Sequence, residues 1–81
     1  MNDTDITKQL TDIIREVFEN PDLVITPESN AKSVPGWDSM KQVMIVMAVE
    51  DHFAIQLTTR EIDRLRNVGD IIAAISAHQA S

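Results

Sequence analysis

The chain has 81 residues, 43% of them hydrophobic and 4% aromatic, with two glycines, three prolines, no cysteine and a formal net charge of -6. This length supports one domain, residues 1–81, near the small end of what folds without staples. Having no cysteine excludes a disulfide framework, a thiolate metal site and a cysteine nucleophile, and the acidic balance argues against nucleic acid as a partner, whose phosphates would be repelled.

The opening Met1-Asn2-Asp3-Thr4-Asp5 is acidic and polar, unlike the basic-then-apolar start of a signal peptide, and no apolar run approaches a membrane span. A cytoplasmic protein without a membrane partner is expected. Ile6, Leu10, Ile13, Ile14, Val17 and Phe18 recur at the spacing of one helical face, which predicts a first helix, stopped by Asn20-Pro21. From Pro21 to Trp37 no period is present, and Pro27, Pro35 and Gly36 punctuate a long loop. Leu23, Ile25 and Val34 are apolar enough to pin that loop to the core, and so long a connection in so small a domain points to function.

Asp38 can cap a second helix that begins at Ser39 and runs to Phe53. Thr58-Thr59-Arg60-Glu61 fits a capping box opening a short third helix, with Ile62 and Leu65 inward. Asp70 is expected to cap a last helix carrying Ile71, Ile72 and Ile75, with Ala74 and Ala77 small enough for close approach. The fold class is therefore all-α: a small four-helix bundle, three longer helices plus a short third one, with a long loop between helices one and two.

Helix two has more apolar surface than a core requires. Steps of about 100° place Ile45, Val46, Val49 and Phe53 in one arc, which suffices as a core face. Met40, Met44 and Met47 fall in a different arc, with Asp51 beside them and Glu50 at its edge. One helix of so small a domain cannot be buried on all sides, so Met40, Met44, Met47, Glu50 and Asp51 are candidate partner-binding residues. His52 and His78 have no second ligand at metal-binding spacing, so no metal site is expected. Neither a Ser-His-Asp set nor a carboxylate pair is suggested, Ser39 has no base in sequence reach, and no catalytic residue is expected.

Val34-Pro35-Gly36-Trp37-Asp38-Ser39-Met40 resembles the attachment motif of acyl carrier proteins, in which an Asp-Ser-Leu triplet opens the second helix after a long loop. Here Met40 stands in place of the usual leucine. Glu50-Asp51-His52-Phe53-Ala54-Ile55 is similar to the acidic, phenylalanine-terminated end of that helix, and the similarity continues through Val68-Gly69-Asp70-Ile71. The resemblance implies a non-catalytic carrier that holds an acyl-type cargo as a thioester on a 4'-phosphopantetheine arm attached to Ser39, with Asp38 in contact with the modifying enzyme. A chain without cysteine must import its thiol in this way. Helix-start geometry agrees, because a phosphodiester on the Ser39 oxygen would sit at the positive end of the helix dipole.

The resemblance also implies the partners: a phosphopantetheinyl transferase, an acyl- or aminoacyl-activating ligase and downstream biosynthetic enzymes, as in fatty acid or polyketide biosynthesis. They would be met by a monomeric carrier. Acyl chains in the family slip between helices two and three, which makes Val46, Ile62 and Leu65 the candidate acyl-chain lining. In carriers of fatty-acid synthesis the face formed by those helices is strongly acidic. Here it is mixed, with Lys41, Met44, Arg60, Arg64 and Arg66 against Glu61 and Asp63, which points to a specialised pathway. Two alternatives remain open: a helical protein-interaction adaptor using the methionine stripe, and a carrier loaded with an aminoacyl or peptidyl unit.

Overall fold

The apolar stripe Ile6, Leu10, Ile13 and Ile14 is buried along α1 (Asp3–Val17) in a computed structural model that describes residues 3–80. The helix ends before Pro21 is reached. Glu19 takes a left-handed conformation (φ 53°), its amide donates to Glu16 O at 3.1 Å and the Asn20 amide donates to Arg15 O at 2.9 Å. This is a Schellman closure with glutamate where glycine is usual, and Pro21 only follows it.

The loop after α1 is tied down by its apolar residues and its carbonyls. Val34 and Trp37 are buried, and Leu23 and Ile25 are partly buried against the core. Arg15 Nε donates to Leu23 O at 2.7 Å, which holds the loop's first stretch to α1. Buried Ser29 accepts the Thr26 amide on its hydroxyl at 2.9 Å. The same stretch grips the start of α4 (Val68–Ala80): Val68 N donates to Ser29 O at 2.9 Å and Gly69 N to Pro27 O at 2.8 Å. A Cβ at residue 69 would lie 3.2 Å from Pro27 O, so glycine there permits the close approach.

Asp70 is not the cap of α4. The helix begins two residues earlier, Asn67 Oδ1 accepts the Asp70 amide at 2.8 Å, and Asp70 Oδ2 accepts the Arg66 amide at 3.0 Å. Asn67 therefore satisfies a first-turn donor, and Asp70 answers from inside the helix.

Asp38 does cap α2 (Ser39–Phe53), accepting the Lys41 amide at 2.9 Å, and the helix buries Ile45, Val46, Val49 and Phe53. It ends on left-handed Ala54 (φ 55°), with the Ile55 amide donating to Glu50 O at 3.1 Å. The capping box of α3 (Thr59–Asp63) is complete: Glu61 N donates to Thr58 Oγ1 at 3.1 Å and Thr58 N to Glu61 Oε1 at 3.0 Å. No residue of α3 is fully buried; Ile62 is half-buried, and Leu65 lies beyond the helix on the turn that closes it.

α1 packs against both α2 and α4. Their inward isoleucines, with Val49, Phe53, Val68 and the loop residues Val34 and Trp37, form one apolar cluster. The four helices and the long first connection give the all-α bundle that the sequence predicts, and no strand occurs among the described residues. No described helix is long and apolar enough to cross a membrane.

Candidate functional site

Ser39 is the first residue of α2 and is exposed. The first amides of a helix have no partner within it and point outward, so this end carries partial positive charge. Asp38 places its carboxylate against one of those amides, that of Lys41. Gly36, with φ 86° and nothing within 4 Å of where a Cβ would stand, supplies the left-handed step that brings the loop into Trp37 and the cap. Trp37 is buried, stacks edge-on against Phe18 at 6.0 Å between centroids, and donates its indole N–H to Gln42 Oε1 at 2.8 Å.

A cleft of about 640 Å³ opens beside Ser39 between α2 and the α3 segment. Ala31, Trp37, Val43, Ile62 and Leu65 give it apolar surface, and Asp38, Gln42, Asp63 and Arg66 give it polar surface. Ile62 and Leu65 thus share a cleft with Ser39. Val46 does not line it: that side chain is buried, and Val43, one turn nearer the serine, takes the place at the wall. A 3.6-residue period places both valines on the α3 side, and only the packed structure distinguishes them. Gln42 also escaped the sequence reading, although its place one turn after Ser39 on the same face was a signal.

The methionine arc faces outward. Met40, Met44 and Met47 are 72%, 42% and 63% exposed, and Val43 joins them as an exposed apolar side chain. Met44 and Met47 form one wall of a groove of about 470 Å³ between α1 and α2, opposite Ile13, Glu16 and Val17, with Asp51 and His52 at its end. Asp51 is exposed. Glu50 is half-buried, and its Oε2 accepts the Leu57 amide at 2.9 Å and so holds the linker after α2. Lys41 reaches across to α1: Nζ donates to Val17 O at 3.3 Å and lies 5.7 Å from the Phe18 ring centroid, a cation at the C-terminal end of α1.

His52 meets Gln9 at 2.7 Å and sits edge-on to Phe53, and His78 Nε2 meets Glu61 Oε2 at 2.8 Å. The Glu61 carboxyl is held below its ordinary pKa, first by the Thr58 amide and then by His78. Among the described residues there is no group of three His, Cys, Asp or Glu that could hold a metal ion.

A family model described as a phosphopantetheine attachment site matches residues 8–75. The chain is 28% identical over 79 residues to an acyl carrier protein of Lactobacillus acidophilus, covering 98% of this chain and 99% of that one. It is 38% identical over 52 residues to a Schizosaccharomyces pombe protein assigned as a mitochondrial acyl carrier protein, covering 64% of this chain and 46% of that one. The solution structure of holo acyl carrier protein from Geobacter metallireducens superposes with a TM-score of 0.86 at 31% identity, over 93% of this chain and 86% of that one. With most of its length matched by the family model, a relative aligned nearly end to end and the fold shared, this chain belongs to the phosphopantetheine attachment site family, as a non-catalytic carrier of the acyl carrier type.

Proposed function

We propose that the chain carries an acyl-type cargo on a 4'-phosphopantetheine arm attached to Ser39. The observation that supports this reading is the position of Ser39: exposed, first in α2, directly after a capping aspartate, and on the rim of a cleft. The residues present fit such a group. The helix terminus favours a phosphodiester, and the cleft offers apolar surface and hydrogen-bonding groups to a chain extending from the serine. When bound, the arm supplies the thiol that a chain without cysteine lacks, and holds the cargo there as a thioester.

Each part of the chain then has a role. Ser39 Oγ forms the new phosphorus–oxygen bond as the bond to the adenosine bisphosphate half of coenzyme A breaks, and its proton passes to the transferase or to water. Asp38 fixes the helix start and meets the transferase. Met40, Met44 and Met47, with Glu50 and Asp51 at their edge, dock successive partners: the transferase, an acyl- or aminoacyl-activating ligase and downstream enzymes. Ile62, Leu65 and Val43 border the cleft available to an acyl chain. The partly apolar docking surface supports a carrier of a specialised pathway.

Incubation with coenzyme A and a broad-specificity transferase is expected to add the mass of one arm, and Ser39→Ala to add none. Equal labelling of the variant would overturn the assignment. Absence of labelling in both, with the methionine groove still binding a partner, would favour an adaptor.

A further inference from the structure

Gln42 reaches both walls of the cleft beside Ser39 and bonds unequally to them. Its Oε1 accepts from Trp37 Nε1 at 2.8 Å, while Nε2 donates to Leu65 O at 3.5 Å. The carboxamide cannot be reversed. An indole N–H only donates and a backbone carbonyl only accepts, so oxygen must face Trp37 and nitrogen must face Leu65. The first bond has ordinary length; the second is at the outer limit, where little strength remains.

The two walls also differ in rigidity. Trp37 belongs to the buried core, whereas α3 has no fully buried residue. The α3 helix is tied to α4 through Glu61 and His78, so loss of the Gln42 contact would loosen the Leu65 end while leaving that tie. Among the described residues Gln42 is the sole carboxamide lining the cleft; the other polar side chains there are Asp38, Asp63, Arg66 and Ser39 itself. A pantetheine arm contains two secondary amides, and an amide laid against apolar surface needs a hydrogen-bond partner. A neutral donor, prealigned by a buried tryptophan and weakly engaged elsewhere, meets that need.

We infer that Gln42 is a positioning residue for the arm: its amino group exchanges Leu65 O for a secondary-amide carbonyl of the arm, while Trp37 keeps the carboxamide aimed. This rests on the attachment reading for Ser39. Docking of the arm and release of the Leu65 end of the α3 segment are then one event. The Leu65 carbonyl turns to water as the arm carbonyl takes its donor.

The test compares isotope-labelled protein by NMR before and after arm transfer from coenzyme A, with mass spectrometry confirming the transfer. In the wild-type chain the Gln42 side-chain amide resonances are expected to shift on transfer, and arm protons to show contacts to the Leu65 and Ile62 methyls. Gln42→Glu keeps an acceptor for Trp37 but has no donor, so its arm contacts should disappear while the single indole N–H resonance stays near its wild-type position. Arm contacts that persist in Gln42→Glu, or a wild-type Gln42 amide that does not move on transfer, would overturn the inference alone. A chain that accepts no arm overturns the Ser39 reading and this one with it. The wild-type comparison decides the matter even if the variant folds poorly.

Discussion

The Asp38 carboxylate accepts the Lys41 amide at 2.9 Å, yet capping does not require its charge, since asparagine caps equally well. Asp38→Asn should therefore alter unfolding free energy by less than about 0.5 kcal/mol, while slowing arm transfer if the transferase reads the charge. Denaturant melts and transfer kinetics separate the two, and an unchanged transfer rate would confine Asp38 to capping. Glu61 gives a second test at this scale. Its folded pKa is lowered from 4.5, so its ionised form favours the fold; that contribution is present above 4.5 and lost as pH falls through the lowered value. Glu61→Gln keeps the capping-box acceptor without the titration, so its stability should fall less steeply between neutral pH and about pH 3 than that of the wild type. Parallel curves in urea melts would contradict this. Both caps were legible in the sequence because capping acts within three residues. The Gln42 bridge was not, because Leu65 lies 23 residues away and nothing local marks its carbonyl as the partner.

At the level of the helices, periodicity separates the two faces of α2: the arc of Ile45, Val46, Val49 and Phe53 is buried and the methionines are exposed. Met47, 63% exposed, should accordingly tolerate Met47→Ala with a loss under about 1 kcal/mol, against roughly 2–5 kcal/mol for a buried methionine, while arm transfer or cargo loading slows. A large loss of stability with unaltered transfer would assign Met47 to the core instead. Helix ends were less legible than helix faces. Two closures place Glu19 and Ala54 at positive φ, where the usual signal is glycine, so composition alone does not announce them. The start of α4 is held by carbonyls of Pro27 and Ser29, a contact across the fold that sequence spacing does not announce, which is why the sequence points to Asp70 as the cap and not to Asn67.

Across the whole molecule, a rigid half and a looser half meet at Ser39. α1, α2 and α4 share the buried cluster, and the loop joins it through Val34 and Trp37, whereas α3 rests on half-buried side chains and a few hydrogen bonds. A cleft between these halves can widen without breaking the core. Burial of a cargo methylene there is worth about 0.8 kcal/mol at most, before the cost of opening is subtracted. Protein bearing an eight-carbon acyl group should therefore melt higher than protein bearing the arm alone or a two-carbon group. Equal melting temperatures would show that cargo stays in solvent, favouring a small or polar unit. The most direct test of the central claim is the intact and fragment mass of the chain purified from its native host. One arm, with or without cargo, localised to the peptide that contains Ser39, is the predicted result; a chain that is unmodified throughout, or modified at another residue, would contradict it.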